Sequence, residues 1–143
     1  MAASKSLTAR ELRLWHAWER VSESVLSQVG HDVTEATGLS AADFGVLSRL
    51  ADLGGGQLRQ RELALALGWD KSRISHQLTR MQGRNLLTRS KTAENASRVA
   101  ITPAGRKVLE CARPVHALAV RRYLIERLTA EQAAAILGLA GAG

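Results

Sequence analysis

Between Leu12 and Val33, apolar side chains return at Leu12, Trp15, Trp18, Val21, Val25, Val29 and Val33, in steps of three and four throughout. That spacing draws one continuous stripe along a single helix. Thr8-Ala-Arg-Glu11 supplies a capping box at its start, with the Thr8 hydroxyl placed to accept from the backbone N–H of Glu11. Gly38 marks its end, and Gly30 is a point where it is expected to loosen. A chain of 143 residues has room for one modest core. A stripe this long exceeds what such a core can cover, so part of it is expected to meet a partner.

The remaining segments read mostly as shorter helices, in keeping with a chain that holds two prolines and 3% aromatic residues. Ser40-Ala-Ala-Asp43 caps a second helix whose apolar side is Phe44, Val46, Leu47 and Leu50, and Gly54-Gly55-Gly56 ends it as a linker. A third spans about Arg59 to Leu67, with Leu63, Ala64 and Leu67 inward and Gly68 as its stop. Asp70 caps a fourth that runs to about Gly83. Leu86–Ser90 and Ser97–Ile101 are short and β-prone around the polar Lys91–Ala96, which predicts a hairpin. Thr102-Pro103 opens a fifth helix, kinked at Pro114 and continuing to Leu128. Thr129-Ala-Glu-Gln132 caps a last helix that frays in Ala140–Gly143.

Charge is distributed unevenly over this plan. The fifty residues from Leu58 to Lys107 hold eleven Lys/Arg against three acids and net +8, whereas the whole chain nets +7. The other ninety-three residues are therefore slightly acidic. Positive charge confined to one segment marks a surface that meets a polyanion, and the expected polyanion is double-stranded DNA.

The fourth helix lies at the centre of that window. Ile74, Leu78 and Met81 share one face and are expected to pack on the third helix. Ser72, His76, Thr79 and Gly83 take the opposite face, with Ser75 and Arg80 at its borders. Short and hydrogen-bonding side chains of this kind can approach base edges in a major groove. Lys71, Arg73 and Arg84 flank the packed face as candidate phosphate contacts, aided by the N–H groups at the helix N-terminus. A short helix, a glycine turn, a capped second helix and a hairpin make up a winged helix-turn-helix.

The stretches that carry this pattern are Leu58-Arg-Gln-Arg-Glu-Leu-Ala-Leu-Ala-Leu-Gly68, Trp69-Asp-Lys-Ser-Arg-Ile-Ser-His-Gln-Leu-Thr-Arg-Met81, Asn85-Leu-Leu-Thr-Arg89 and Ile101-Thr-Pro-Ala-Gly105. In them, and in helix lengths over nearly its whole length, the chain resembles the MarR-type transcriptional regulators. The resemblance implies a mostly α fold with a small β-hairpin wing. It implies a homodimer built by the first, fifth and sixth helices, with two winged domains on a pseudo-palindromic operator. It also implies release from DNA by a small, often aromatic, ligand or an oxidant. On this reading residues 1–39 and 108–143 are dimerisation helices, residues 40–107 bind DNA, and the whole is one compact unit. The chain departs from the family at two places. Arg59 stands where the third helix usually opens on Thr or Ser, which weakens the cap and offers a phosphate contact. The wing usually carries Asp-x-Arg, and those places hold Ala93 and Asn95. Arg98, or else Lys91, is then the residue expected at the minor groove.

Other residues attract attention with less reason. Trp15, His16 and Trp18 stand where a ligand pocket between the dimer helices and the winged domain is expected, and plain packing explains two tryptophans three apart equally well. Cys111, the single cysteine, reads as a buried inert thiol and fits a reducing compartment. His31, Asp32, Glu35 and His116 lack the pair spacing of metal ligands, so no metal or cofactor is expected. The Asn95-Ala-Ser97 sequon has no meaning without a secretory leader, and Met1–Ser6 runs directly into charged residues. No apolar run reaches the about eighteen residues a membrane span needs. A cytoplasmic protein without membrane contact is expected. No nucleophile, base and acid recur at a catalytic spacing, so no enzyme is expected. The chief rival reading is a basic architectural or RNA-associated protein that coats nucleic acid without sequence preference. Ser72, His76 and Thr79 weigh against it, because backbone binding needs only Lys and Arg. A winged helix that only contacts other proteins is the third reading, and the +8 window disfavours it.

Overall fold

The computed structural model describes residues 5–141, and the expectations for Met1–Ser4 and for Ala142 and Gly143 lie outside that range. Six helices and three short strands follow in the order α1 (Ala9–Thr37), α2 (Ala41–Gly54), β1 (Gln57–Arg59), α3 (Gln60–Leu67), α4 (Lys71–Gly83), β2 (Leu87–Lys91), β3 (Ser97–Ile101), α5 (Pro103–Tyr123) and α6 (Ala130–Leu139). A single 3-10 turn, Ile125–Arg127, separates the last two helices. The fold is mostly α with a small three-stranded antiparallel wing.

Local chemistry accounts for most boundaries. Thr8 and Glu11 bond each other's backbone N–H groups at 3.2 and 2.8 Å, and Ser40 and Asp43 repeat the arrangement at 3.0 and 2.9 Å. Asp70 caps α4 through the Arg73 N–H at 2.8 Å, and Thr129 with Gln132 caps α6. At the start of α3 only Glu62 makes its half of the box, bonding the Arg59 N–H, and Arg59 makes no side-chain cap. The weak cap expected from arginine at that place is what the structure has.

Four details differ from the sequence reading. The wing is three-stranded, because Gln57-Leu58-Arg59 forms a strand antiparallel to β3 instead of a plain lead into α3. The Gly54–Gly56 segment therefore does more than link: buried Gly56, at φ +109°, receives the Ile101 N–H on its carbonyl at 2.9 Å and so fastens α2 to the sheet. Gly30 does not loosen α1, which runs unbroken past it. The fifth helix passes through Pro114 but ends at Tyr123 and not Leu128, because Leu124 leaves the helical dihedral range at φ −126°.

One apolar cluster runs from Val33 and Leu39 through Leu47, Leu50, Leu63, Leu78 and Met81 to Val99 and Leu109. The end of α4 is stapled to the start of α5 beside it. Thr102, the N-cap of α5, donates to the Asn85 carbonyl at 2.7 Å and accepts from Gly105 at 2.9 Å. A Cβ at Gly105 would strike the Leu86 carbonyl oxygen, so glycine is required where these two helices meet. With the Thr102 N–H bonded to the Leu86 carbonyl at 3.1 Å, this staple ties the two ends of the β2–β3 hairpin together.

Candidate nucleic-acid interface

The face of α4 that the spacing assigns to packing is buried at Ile74, Leu78 and Met81. Ser72, His76, Thr79 and Arg80 are exposed, and Ser75 is half-buried at the border. Lys71 and Arg73 are exposed in the first turn. Arg73 lies over the Trp69 ring at 4.1 Å, a cation–π contact that limits its swing. Thr79 donates to the Ser75 carbonyl at 3.0 Å and accepts from Arg89 at 2.8 Å.

Arg84 is placed otherwise than expected. Its guanidinium is turned inward onto Asp43 at 2.7 Å, with a second contact to the Gly38 carbonyl at 3.3 Å. The cause is electrostatic: Asp43 is buried on α2, and a buried carboxylate needs a cation and hydrogen bonds. Burial by itself would raise the Asp43 carboxyl. The bond and charge of Arg84 and the bonds from Ser40 outweigh it and hold the group below its ordinary 3.8. Arg84 thus anchors α4 to α2.

On the wing, alternation sorts the basic groups onto two faces. Arg89, Leu87 and Val99 share the face towards the helices, and Arg89 reaches α4 at Gln82, 3.0 Å, as well as at Thr79. Lys91, on the same face, bonds Ser97 at 3.2 Å. Arg98 pairs with Arg59 across β1 and β3 and with Ser90 across β2, on the outer face. Two like charges directly opposite repel, so this pair suits a surface that meets an anion. Ala93 and Asn95 fall in the turn between the strands, where Asn95 takes a left-handed φ of +62°.

A second feature lies away from this surface. A cleft of about 470 Å³ opens between α1, α2 and α5, lined by Val29, Phe44, Ser48, Arg49, Arg113 and His116 among others. His116 stacks on Phe44 with ring centroids 4.2 Å apart, and Arg113 pairs with Asp52 at 2.7 Å. Burial first, then repulsion from Arg113 and Arg49, pushes the His116 imidazole below its ordinary value. Trp15, His16 and Trp18 do not line this cleft, and all three are exposed about two turns earlier on α1. Cys111 is exposed in the single chain and not buried. Among the described residues no three His, Cys, Asp or Glu side chains gather as a metal would require, and no helix is long and apolar enough to cross a membrane.

The sequence reading missed Asp43, Gln77 and Arg89. Gln77 carried a signal, as a polar side chain on the packed face between Ile74 and Leu78. Arg89 and the second role of Asp43 carried none, since their partners are distant in sequence.

Residues 37–96 match the sequence profile of the MarR family. The fold extends the likeness over the rest of the chain. It superposes on AbsC, a MarR family transcriptional regulator from Streptomyces coelicolor, with a TM-score of 0.86 and 28% identity over 95% of this chain and 93% of that one. In fold and in this matched segment the chain is similar to MarR family regulators. Sco3205, a MarR family regulator from Streptomyces coelicolor solved in complex with DNA, gives a TM-score of 0.88 at 25% identity over 95% and 87% of the two chains. Bordetella bronchiseptica BpsR, whose DNA binding is regulated by 6-hydroxynicotinic acid, shares the fold at a TM-score of 0.77 and 22% identity over 95% and 96%. No curated protein matches this chain in sequence. Its fold is the one these MarR family regulators have.

Proposed function

We propose that this protein is a MarR-type regulator, a homodimeric repressor that occupies a pseudo-palindromic operator and is released by a small aromatic ligand. The observation that carries this is the division of α4 into a buried face, locked to α2, and an uncharged hydrogen-bonding face at the centre of the basic segment. On this reading Ser72, Ser75, His76, Thr79 and Arg80 meet base edges, while Arg59, Lys71, Arg73, Lys91 and Arg98 meet phosphates or the minor groove. Arg84 is withdrawn from the contact set and serves as an anchor. The dimer is supported by the uncovered apolar side chains of α1 and α6, Leu14, Trp18, Val21, Ile136 and Leu137 among them. Residues 1–39 and 108–143 supply that interface, and residues 40–107 the DNA contact. The ligand site is the cleft of α1, α2 and α5, in place of the Trp15–Trp18 stretch: Phe44 and His116 offer flat faces, and Arg49 and Arg113 offer charge to an aromatic acid.

A competition titration tests the central point. The dimer should prefer an operator, selected from a random pool, over scrambled duplex by a factor of about 10³ or more at fixed salt. Equal affinity for both would favour the architectural protein instead. In a complex the two α4 helices should stand about 34 Å apart, one turn of B-DNA.

A further inference from the structure

The packed face of α4 carries one buried polar side chain, Gln77, 5% exposed. Its Nε2 donates to the Asp43 carboxylate at 2.7 Å, and its Oε1 accepts from an Nη of Arg80 at 2.7 Å. An ionised carboxylate only accepts and a guanidinium only donates. Gln77 between them is therefore held to one amide orientation, since the flipped one sets acceptor against acceptor and donor against donor. The other Asp43 oxygen takes the Ser40 N–H and Arg84. Among the described residues no buried side-chain nitrogen or oxygen is left without a partner. The result is a fully satisfied chain of bonds from the start of α2 to the exposed border of α4.

We propose that Asp43 and Gln77 are positioning residues for sequence reading, which aim the Arg80 guanidinium so that its remaining N–H groups meet the O6 and N7 of a guanine. This rests on the reading of Arg80 as a base-contacting residue. An arginine has much rotamer freedom to lose on binding, and an arm already tethered at one Nη loses less of it at the DNA. The same tether fixes the fork's plane, which a bidentate contact to guanine requires. Polarity runs one way along the chain, so a shift of α2 at Asp43 reaches Arg80 through a single bonded path.

The test is a double-mutant cycle on the full-length protein, using the duplex that wild type selects from a random pool and a scrambled control. Gln77→Met keeps the length and burial of the side chain and removes both bonds. It should cut the preference for the selected duplex by about tenfold, with scrambled-duplex affinity within about twofold of wild type. Arg80→Ala should cut the preference at least as far, and Gln77→Met should add nothing in that background. Should Gln77→Met cost the same with and without Arg80, or cost nothing, the positioning role is overturned and base contact by Arg80 stands. Should Arg80→Ala leave the preference intact, the base-contact reading fails and takes this inference with it. A second measurement needs no variant. In DNA-free wild type, 15N NMR should find rotation about the Arg80 Cζ–Nη bonds slowed relative to Arg61, which is exposed and without a hydrogen-bond partner among the described residues. Equally fast rotation in both would overturn the proposal.

Discussion

Two amphipathic helices drawn by the same periodicity reach opposite ends. The stripe of α4 sinks wholly into the chain's own core at Ile74, Leu78 and Met81. The stripe of α1 leaves Trp15 52%, Trp18 58% and Val21 57% exposed, and of its residues only Val33 is buried. Amphipathicity thus states that a face will be covered and is silent about what covers it. The difference follows from geometry. The stretch of α1 from Val25 to Val33 lines the cleft with α2 and α5, whereas the large apolar side chains from Leu12 to Val21 stay exposed. Covering a large apolar side chain contributes roughly 1.5–3 kcal/mol, so several left in water are a strong incentive to associate.

The largest effect should come from the uncovered helix. Replacing Trp18 and Val21 together by Glu should weaken the dimer by about 4 kcal/mol, near a thousandfold in Kd, and abolish operator binding with it. Sedimentation at micromolar concentration should then give one chain mass where wild type gives two. A wild type that already sediments as one chain would break the comparison, leaving α1 merely exposed. The covered helix should respond differently. Asp43→Ala strands Arg84 and Gln77 and should cost about 3 kcal/mol of folding stability in urea titration. A loss under about 1 kcal/mol would mean that apolar packing alone seats α4.

What the sequence discloses and what it hides divide along the same line. Caps at Thr8, Ser40, Asp70, Thr102 and Thr129 act within three residues, so helix starts are legible without the fold. The exposed side of α4 is legible for the same reason, because periodicity fixes both faces of a helix once one is known. Strand β1 is not, since Gln57-Leu58-Arg59 turns only Leu58 inward and exists as a strand by pairing with residues about forty positions later. Arg84 reads as a phosphate contact because local charge cannot reveal a buried acid forty-one residues away. The cleft of α1, α2 and α5 is not legible either, because the sequence shows aromatic density and not concavity, which is set by how three helices cross.

On the exposed side of α4 the effects are smaller and sharper. His76→Ala should cost about 1–3 kcal/mol on the selected operator and leave scrambled duplex nearly unaffected, since no charge is removed. On the wing, Arg98→Ala should weaken both duplexes by similar factors and lower the log–log salt slope by about one for each phosphate that Arg98 neutralises. An unchanged slope would remove Arg98 from the phosphate-binding set and leave Arg59, its cross-strand neighbour, as the group to test. Together the two substitutions separate reading from attraction on a surface where both are proposed.

The smallest effect concerns His116, on α5 in the cleft walled by α1, α2 and α5. Burial, Arg113 and Arg49 all disfavour its charged form in the fold. The unfolded chain therefore takes up a proton at a higher pH than the native one does. By linkage, native stability from this group is intact above about pH 6.5 and falls as pH drops through the native value. His116→Phe keeps the stack on Phe44 and removes the titration. Urea midpoints should fall more for wild type than for the variant between about pH 7.5 and about pH 5.5. Ligand binding should show the opposite sign. An aromatic carboxylate seated beside His116 would favour the imidazolium, so its affinity for wild type should rise over the same interval while the variant's changes less. If wild type and His116→Phe bound benzoate with the same pH dependence, the cleft would not place the anion beside His116. The acid's position would then have to be sought nearer Arg49.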